Sequence, residues 1–272
     1  MASTRTSHSA LDLAMQERGW ILFEDDPALH RWIRGTLPAA RRTLDDPAYR
    51  QWWRHDDTWF VGVNALGNGP DGAVPGGLPF TGQALSYLAR TNAFRDLPLD
   101  RAQVSVCFPG YPARSAAESD ASHRYRRQRD AAHIDGMLRH GPDRRRYLGE
   151  HHAYILGIPM VAFPAGAAPF VVWEGSHRIA REFFHRLLAD RESGAWQALD
   201  LTDSYHELRR DIFRRCPRRE IHALPGQCYL VHRMALHGMA PWQAHAKAGP
   251  DGRMVCYFRP EIPDPLTWLN LP

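Results

Sequence analysis

The segment Ala131-Ala132-His133-Ile134-Asp135-Gly136 sets an imidazole and a carboxylate two residues apart. On an extended strand such residues share a face while Ile134 points to the other, so His133 and Asp135 can take two neighbouring positions around one cation. A third donor must come from elsewhere in the fold. His237 is the best placed, because it leaves an apolar strand in Leu230-Val231-His232-Arg233-Met234-Ala235-Leu236-His237 and is followed by Gly238. Two histidines and a carboxylate on one side of an iron ion leave three adjacent positions for a bidentate cosubstrate and dioxygen, whereas structural zinc prefers four protein ligands. Arg253 opens another apolar run 16 residues beyond His237, where a guanidinium can pair with the distal carboxylate of a 2-oxo acid. A histidine two residues before an aspartate is weak evidence alone, since a chain with 15 histidines produces such pairs by chance, and Asp135-Gly136 also reads as a plain surface turn.

These residues need a frame to hold them. From residue 102 onward, short β-rich runs recur at 102–108, 131–135, 153–163, 169–173, 227–232 and 253–258, separated by turn residues, which predicts a barrel or sandwich. A polar insert over 177–219 carries Ile179, Phe183, Leu187 and Leu188 at helical spacing. In front lie a predicted helix at 9–18, a strand at 20–23, helical sequence over 27–54 interrupted at Pro38 and at Asp45-Asp46-Pro47, a strand at 58–63, a Gly/Pro-rich loop over 67–79 and a helix at 83–90. With no tandem repeat and no Pro/Ser-rich linker, residues 1–272 read as one domain: accessory helices and strands over 1–101, then a β core over 102–260.

The motifs AAHIDG, VVWEGSH (171–177), GQCYLVHRMALHG (226–238) and GRMVCYFRP (252–260) resemble, in order and spacing, the phytanoyl-CoA dioxygenase family of Fe(II)- and 2-oxoglutarate-dependent oxygenases. The resemblance covers about residues 102 to 260 and is loose before that. It implies a mainly β fold with accessory helices around a double-stranded β-helix (jelly-roll, cupin-like) core. It further implies Fe(II) on His133, Asp135 and His237, and 2-oxoglutarate anchored by Arg253, with O2 as the second cosubstrate. The implied reaction releases succinate and CO2 and usually hydroxylates the substrate. His232 competes with His237 as the distal ligand, but the His-Gly pair at the strand exit fits the family pattern better. Where the family places a hydroxyl two residues after the distal histidine, this chain has Met239, and Ala240-Pro241-Trp242 replaces the family's asparagine region. Tyr257, on the strand face of Arg253, and Gln227 are the candidates for the missing hydrogen bond to 2-oxoglutarate. A degenerate β-helix protein that binds a small anion without turnover is the alternative, favoured by the Met239 departure.

Composition bounds the remaining possibilities. The chain has 272 residues, 44% hydrophobic and 24% charged, so disordered and coiled-coil classes are excluded. No apolar stretch approaches the roughly 20 residues needed to span a bilayer, so no membrane partner is expected. The net charge is +4, and Lys247 is the sole lysine among 34 basic residues. Arg124, Arg126, Arg127 and Arg129, with Arg144, Arg145 and Arg146, flank the His133 strand and predict either a solvated face or a rim that attracts an anionic or zwitterionic metabolite. No nucleic-acid motif accompanies them. Cys107, Cys216, Cys228 and Cys256 form no CxxC pair, and the first 20 residues carry no apolar targeting core, so a reducing, cytoplasmic setting is expected. Trp52, Trp53, Trp59 and Phe60, beside His55, Asp56 and Asp57, are expected either to line a substrate pocket or to pack the front helices. The polar loop over 113–130 is a candidate cover for its mouth, and His151, His152 and His177 read as structural or supporting residues.

Overall fold

The computed structural model of the protein describes residues 8–116 and 118–272. The chain begins with α1 (His8–Arg18), β1 (Trp20–Phe23) and α2 (Pro27–Asp45), then β2 (Trp53–Arg54), β3 (Trp59–Phe60), α3 (Gln83–Leu88), α4 (Asn92–Arg95) and β4 (Gln103–Cys107). It continues through α5 (Asp120–Gln128), β5 (Met137–His140), β6 (Arg145–Leu148), β7 (Tyr154–Pro159) and β8 (Phe170–Trp173). The rest comprises α6 (Ser176–Leu188), α7 (Thr202–Arg215), β9 (Arg218–Ile221), β10 (Cys228–His232), β11 (His237–Met239), β12 (Arg253–Phe258) and α8 (Pro265–Asn270).

A large antiparallel sheet has the order β1-β10-β7-β12-β4-β3-β2, and a small one has the order β11-β8-β9. The two face one another as a double-stranded β-helix core carrying accessory helices. Alternation along the strands explains both layers. Ile155, Tyr229, Val231, Val255 and Tyr257 point inward and meet Phe170, Val172 and Ile221 of the small sheet. Their neighbours Leu156, Ile158, Leu230, Met254, Cys256 and Phe258 point outward and pack under the helices. Strands covered on both faces carry few polar residues, which is why these runs look almost continuously apolar.

The helix that covers the outer face shows how local signals are outvoted. Asp26 caps α2, its Oδ1 accepting the Ala28 N–H at 2.8 Å, while Oδ2 accepts the Gln83 N–H at 2.8 Å and so joins α2 to α3. Pro38 was expected to interrupt this helix, yet α2 runs through it. Its face of Leu29, Trp32, Ile33, Thr36, Ala40 and Thr43 is buried, and that burial outweighs the roughly 3 kcal/mol of an interior proline. The expected strand at 58–63 shortens to Trp59–Phe60. The insert is helical as expected, but its end, β9, is an edge of the small sheet, and the β5–β6 hairpin was not anticipated. Among the described residues no helix is long and apolar enough to cross a membrane.

The predicted strand at 131–135 is not a strand. Asp130 and Ala131 have φ near +52° and Gly136 is at +82°, so the chain turns on both sides of His133. Only a single bridge, His133 to His237, ties it to the small sheet.

Away from that bridge, His232 and His177 pack with their ring centroids 4.9 Å apart and the planes tilted by 45°. Nδ1 of His232 accepts the Met234 N–H at 3.0 Å, and His177 Nε2 lies 3.1 Å from the Gln16 carbonyl. Burial pushes His177 down to about 4, and burial together with Arg233 holds His232 well below the ordinary imidazole value. The unfolded chain takes up these protons near pH 6.5 while the folded chain refuses them, so stability is complete above that pH and declines below it. Urea unfolding at pH 8 and pH 5 should therefore differ by about 2 kcal/mol on account of His177, with His232 adding to it in the same direction. Equal stabilities would contradict their burial as neutral imidazoles.

Candidate active site

The His133–His237 bridge brings the sequence-predicted residues together. The His133 N–H donates to the His237 carbonyl at 2.8 Å, and the His237 N–H donates back at 3.0 Å. The Met239 N–H donates to the Asp130 carbonyl at 2.8 Å. Between them lies Gly238, where an added Cβ would sit 2.1 Å from the Asp130 carbonyl oxygen, so only glycine permits this approach. Further clamps hold the loop. Arg218 donates to both Asp130 carboxylate oxygens at 2.6 and 3.0 Å, Tyr205 Oη accepts the Ile134 N–H at 2.8 Å, and Tyr125 Oη donates to the Ala132 carbonyl at 2.8 Å.

On this frame one donor atom each from His133, Asp135 and His237 lies within 4.8 Å of the others. Asp135 Oδ1 is 3.2 Å from His133 Nε2 and 3.5 Å from His237 Nε2. Nδ1 of His133 faces the Ala131 carbonyl at 3.1 Å, and Nδ1 of His237 faces the Ala235 carbonyl at 3.0 Å. A carbonyl only accepts, so both protons sit on Nδ1 and both Nε2 lone pairs are directed to the shared point, the arrangement a cation requires. Phe170 stacks on His237 at 5.4 Å and fixes the plane of that ring. Desolvation and the neighbouring His237 lower the pKa of His133 despite Asp135 beside it. Burial alone would push Asp135 up, but the Arg259 guanidinium, with His237 and His133 beside the carboxylate, outweighs it and keeps the carboxyl well below its ordinary range. With its lowered pKa His133 offers a neutral imidazole near neutral pH and Asp135 an ionised carboxylate, the forms in which such side chains bind a divalent ion.

These residues line a cavity of about 200 Å³ whose other walls include Trp59, Val61, Val63, Tyr111, Ile155, Phe170, Met239, Tyr257 and Arg259. Arg253 is 1% exposed and touches two of its wall residues, donating to Tyr257 Oη at 3.1 Å and approaching Met239 Sδ at 3.6 Å. Its Nε has no hydrogen-bond partner, and among the described residues no carboxylate pairs with it. A buried guanidinium left so is a site for an anion.

Other expectations land elsewhere. Gln227 does not reach this region, because its Oε1 accepts the Leu224 N–H at 2.9 Å and closes its own turn. Among the clustered front aromatics only Trp59 lines the cavity, with Trp53 stacking instead on Phe108. Among its described residues the loop over 113–130 contributes only Asp130. His151 packs against Trp196 and Trp268, and His152 is held by the Arg259 carbonyl and Glu150. Much of the arginine rim is already engaged: Arg145 with Asp200, Arg126 with Glu118, Arg129 over Phe213, and Arg146 on the Met137 carbonyl.

Two site residues escaped the sequence analysis. Tyr229 Oη lies 2.8 Å from Tyr257 Oη and 3.5 Å from Arg253. The signal for it was Gly157, which pairs in register with both tyrosines across β10-β7-β12 and would strike the Tyr229 ring at 2.3 Å if it carried a Cβ. Arg259, whose Nη1 reaches Asp135 Oδ2 at 3.3 Å, is the other.

By sequence, no protein-family profile matches the chain, and neither does any curated protein. Solved structures similar to it include the non-haem alpha-ketoglutarate-dependent carbocyclase SnoK from nogalamycin biosynthesis, 14% identical over 95% of this chain and 87% of that one, with a TM-score of 0.47. The epimerase SnoN, in complex with Fe3+, alpha-ketoglutarate and nogalamycin RO, is 15% identical over 97% and 90% of the two chains, with a TM-score of 0.47. EctD from S. alaskensis, with 2-oxoglutarate and 5-hydroxyectoine, is 16% identical over 91% and 73%, with a TM-score of 0.44.

The close approach at Gly238 makes a prediction about the donor set. Gly238→Ala forces the Asp130 carbonyl and the His133 loop off the small sheet, so Zn(II) affinity measured by calorimetry should fall by about tenfold or more, the effect typical of losing the support behind metal ligands. Unchanged affinity would show that the bridge does not set the geometry.

Proposed function

We propose that the protein is an Fe(II)- and 2-oxoglutarate-dependent oxygenase of the phytanoyl-CoA dioxygenase kind, a single domain that hydroxylates a small anionic or zwitterionic molecule. The observation that carries this reading is the pair of imidazoles, each with Nδ1 tied to a carbonyl and Nε2 free, converging with Asp135 on one side of an apolar cavity. Nε2 of His133, Nε2 of His237 and the Asp135 carboxylate would hold the iron, and its soft-to-hard donor mix suits that ion. Bound iron, with 2-oxoglutarate and O2, supplies the oxidising power to hydroxylate an unactivated C–H bond while succinate and CO2 are released.

The chain's own residues account for the rest. The Ala131 and Ala235 carbonyls orient both imidazoles through their Nδ1 atoms. Arg253, with the phenols of Tyr257 and Tyr229, offers a charged donor and two hydroxyls for the distal carboxylate of 2-oxoglutarate, in place of the family's single hydroxyl. Burial pushes the Tyr229 phenol well above its ordinary value, so it keeps its proton and can donate. Met239 lies between Arg253 and the cavity, and its unbranched thioether can yield to a ligand. Trp59, Val61, Val63, Ile155 and Phe170 keep water from the reacting centre.

Purified without oxygen, the protein should bind one Fe(II) per chain, and Asp135→Ala should abolish both binding and succinate formation. Full activity in that variant, or loss on replacing His232 but not His237, would overturn the assignment of the triad. Arg253→Lys keeps the charge but loses the fork, so 2-oxoglutarate binding should weaken by about 1.5–3 kcal/mol. The contact between Met239 and Arg253 favours a second reading, anion binding without turnover. Tight 2-oxoglutarate binding with no succinate released under O2 would select it.

A further inference from the structure

Arg259 is the second guanidinium of the site, and unlike Arg253 it lines the cavity itself. Its side chain is 20% exposed, with Nη1 3.3 Å from Asp135 Oδ2 and a buried Nε that no group satisfies. The backbone holds it there: its N–H donates to Asp100 Oδ1 at 2.8 Å, and its carbonyl faces His152 Nδ1 at 2.7 Å. Among the described residues Asp135 is the only carboxylate within ion-pairing distance of its guanidinium, Asp100 and Glu150 acting on it from farther off, and that carboxylate is already shared with His133 and His237. A cation on the three donors would take up the Asp135 charge, leaving the guanidinium short of an anion in a mostly apolar wall.

Part of the remaining wall is aromatic. Trp59, stacked on His55 and meeting Tyr111 edge-on at 5.7 Å, forms one part, and Phe170 another. Trp59 is fixed by its Nε1 donating to Ser105 Oγ at 3.0 Å. In the arginine rim outside, Arg126 and Arg145 are paired with Glu118 and Asp200, whereas Arg259 stands inside the cavity.

We propose that Arg259 determines specificity by pairing with the carboxylate of a small aromatic acid whose ring lies among Trp59, Tyr111 and Phe170, an inference that rests on the oxygenase reading for its role in catalysis. At about 200 Å³ the cavity has room for a single-ring acid.

The test titrates the protein loaded with Mn(II) and 2-oxoglutarate, without oxygen, with 3-phenylpropionate and with its neutral isostere 3-phenylpropanamide, by tryptophan fluorescence and calorimetry. The acid should bind about tenfold or more tighter than the amide, as expected for a charged hydrogen bond. Arg259→Gln should erase that preference, and Arg259→Lys should keep part of it, while both retain 2-oxoglutarate binding. Arg253→Lys should do the reverse, weakening 2-oxoglutarate and sparing the acid preference. Equal binding of acid and amide to the native protein, no saturation by the acid, or a preference lost in Arg253→Lys but kept in Arg259→Gln would overturn the proposal. The native comparison needs no variant to fold. Should 2-oxoglutarate not bind, the oxygenase reading falls, and the acid–amide difference in the same Mn(II) protein still reports on Arg259.

Discussion

Everything at the site hangs on the reciprocal pair of backbone hydrogen bonds between His133 and His237. It does what a strand pair does in miniature: it fixes the separation and direction of two side chains that lie about a hundred residues apart in the chain. With the two rings held at 4.6 Å, Asp135 has a single position from which to meet both. The contact tolerates no side chain at Gly238, and the left-handed turn at Asp130 and Ala131 is held by the two bonds from Arg218. Strain in the turn, of order 1–2 kcal/mol for each non-glycine residue, is offset by these charge-assisted bonds.

The electrostatics follow from an imbalance. In the cavity region, Asp135 is one carboxylate facing two imidazoles and a guanidinium, and Arg253 lies nearby with only phenols and a thioether around it. Buried cations in excess of buried anions favour a protein that completes its charge with ligands. The aromatic and aliphatic walls strengthen each such interaction by excluding water, so the same residues serve affinity and dryness.

The accessory helices contribute rigidity rather than chemistry. α2 covers the outer face of the large sheet through Trp32, which meets Phe80 and Phe258 and donates its Nε1 to the Gly72 carbonyl at 2.9 Å. α7 also reaches the site, and Tyr205 on it accepts the Ile134 N–H between His133 and Asp135. The helical insert thus acts as a buttress for the residues it interrupts.

Much of this was legible in the chain itself. The apolar runs around Tyr154–Pro159, Phe170–Trp173, Cys228–His232 and Arg253–Phe258 are strands because period-two alternation and double-sided burial leave a strong local signature, and the helical spacing of Phe183 and Leu187 identified the insert. The types and spacing of His133, Asp135 and His237 named a metal chemistry, and Arg253 an anion, before any fold was known. Three-dimensional packing alone decided the rest. The stretch around His133 looks like a strand but is a loop, since what holds it is a remote edge strand and not its own propensity. Gln227 satisfies its own turn while Tyr229 takes the place beside Arg253, a choice made by the missing side chain of Gly157 on the neighbouring strand. Arg259 meets Asp135 across 124 residues, and contacts at that separation leave no trace in local pattern, because they are fixed by sheet register and twist that only the assembled fold defines.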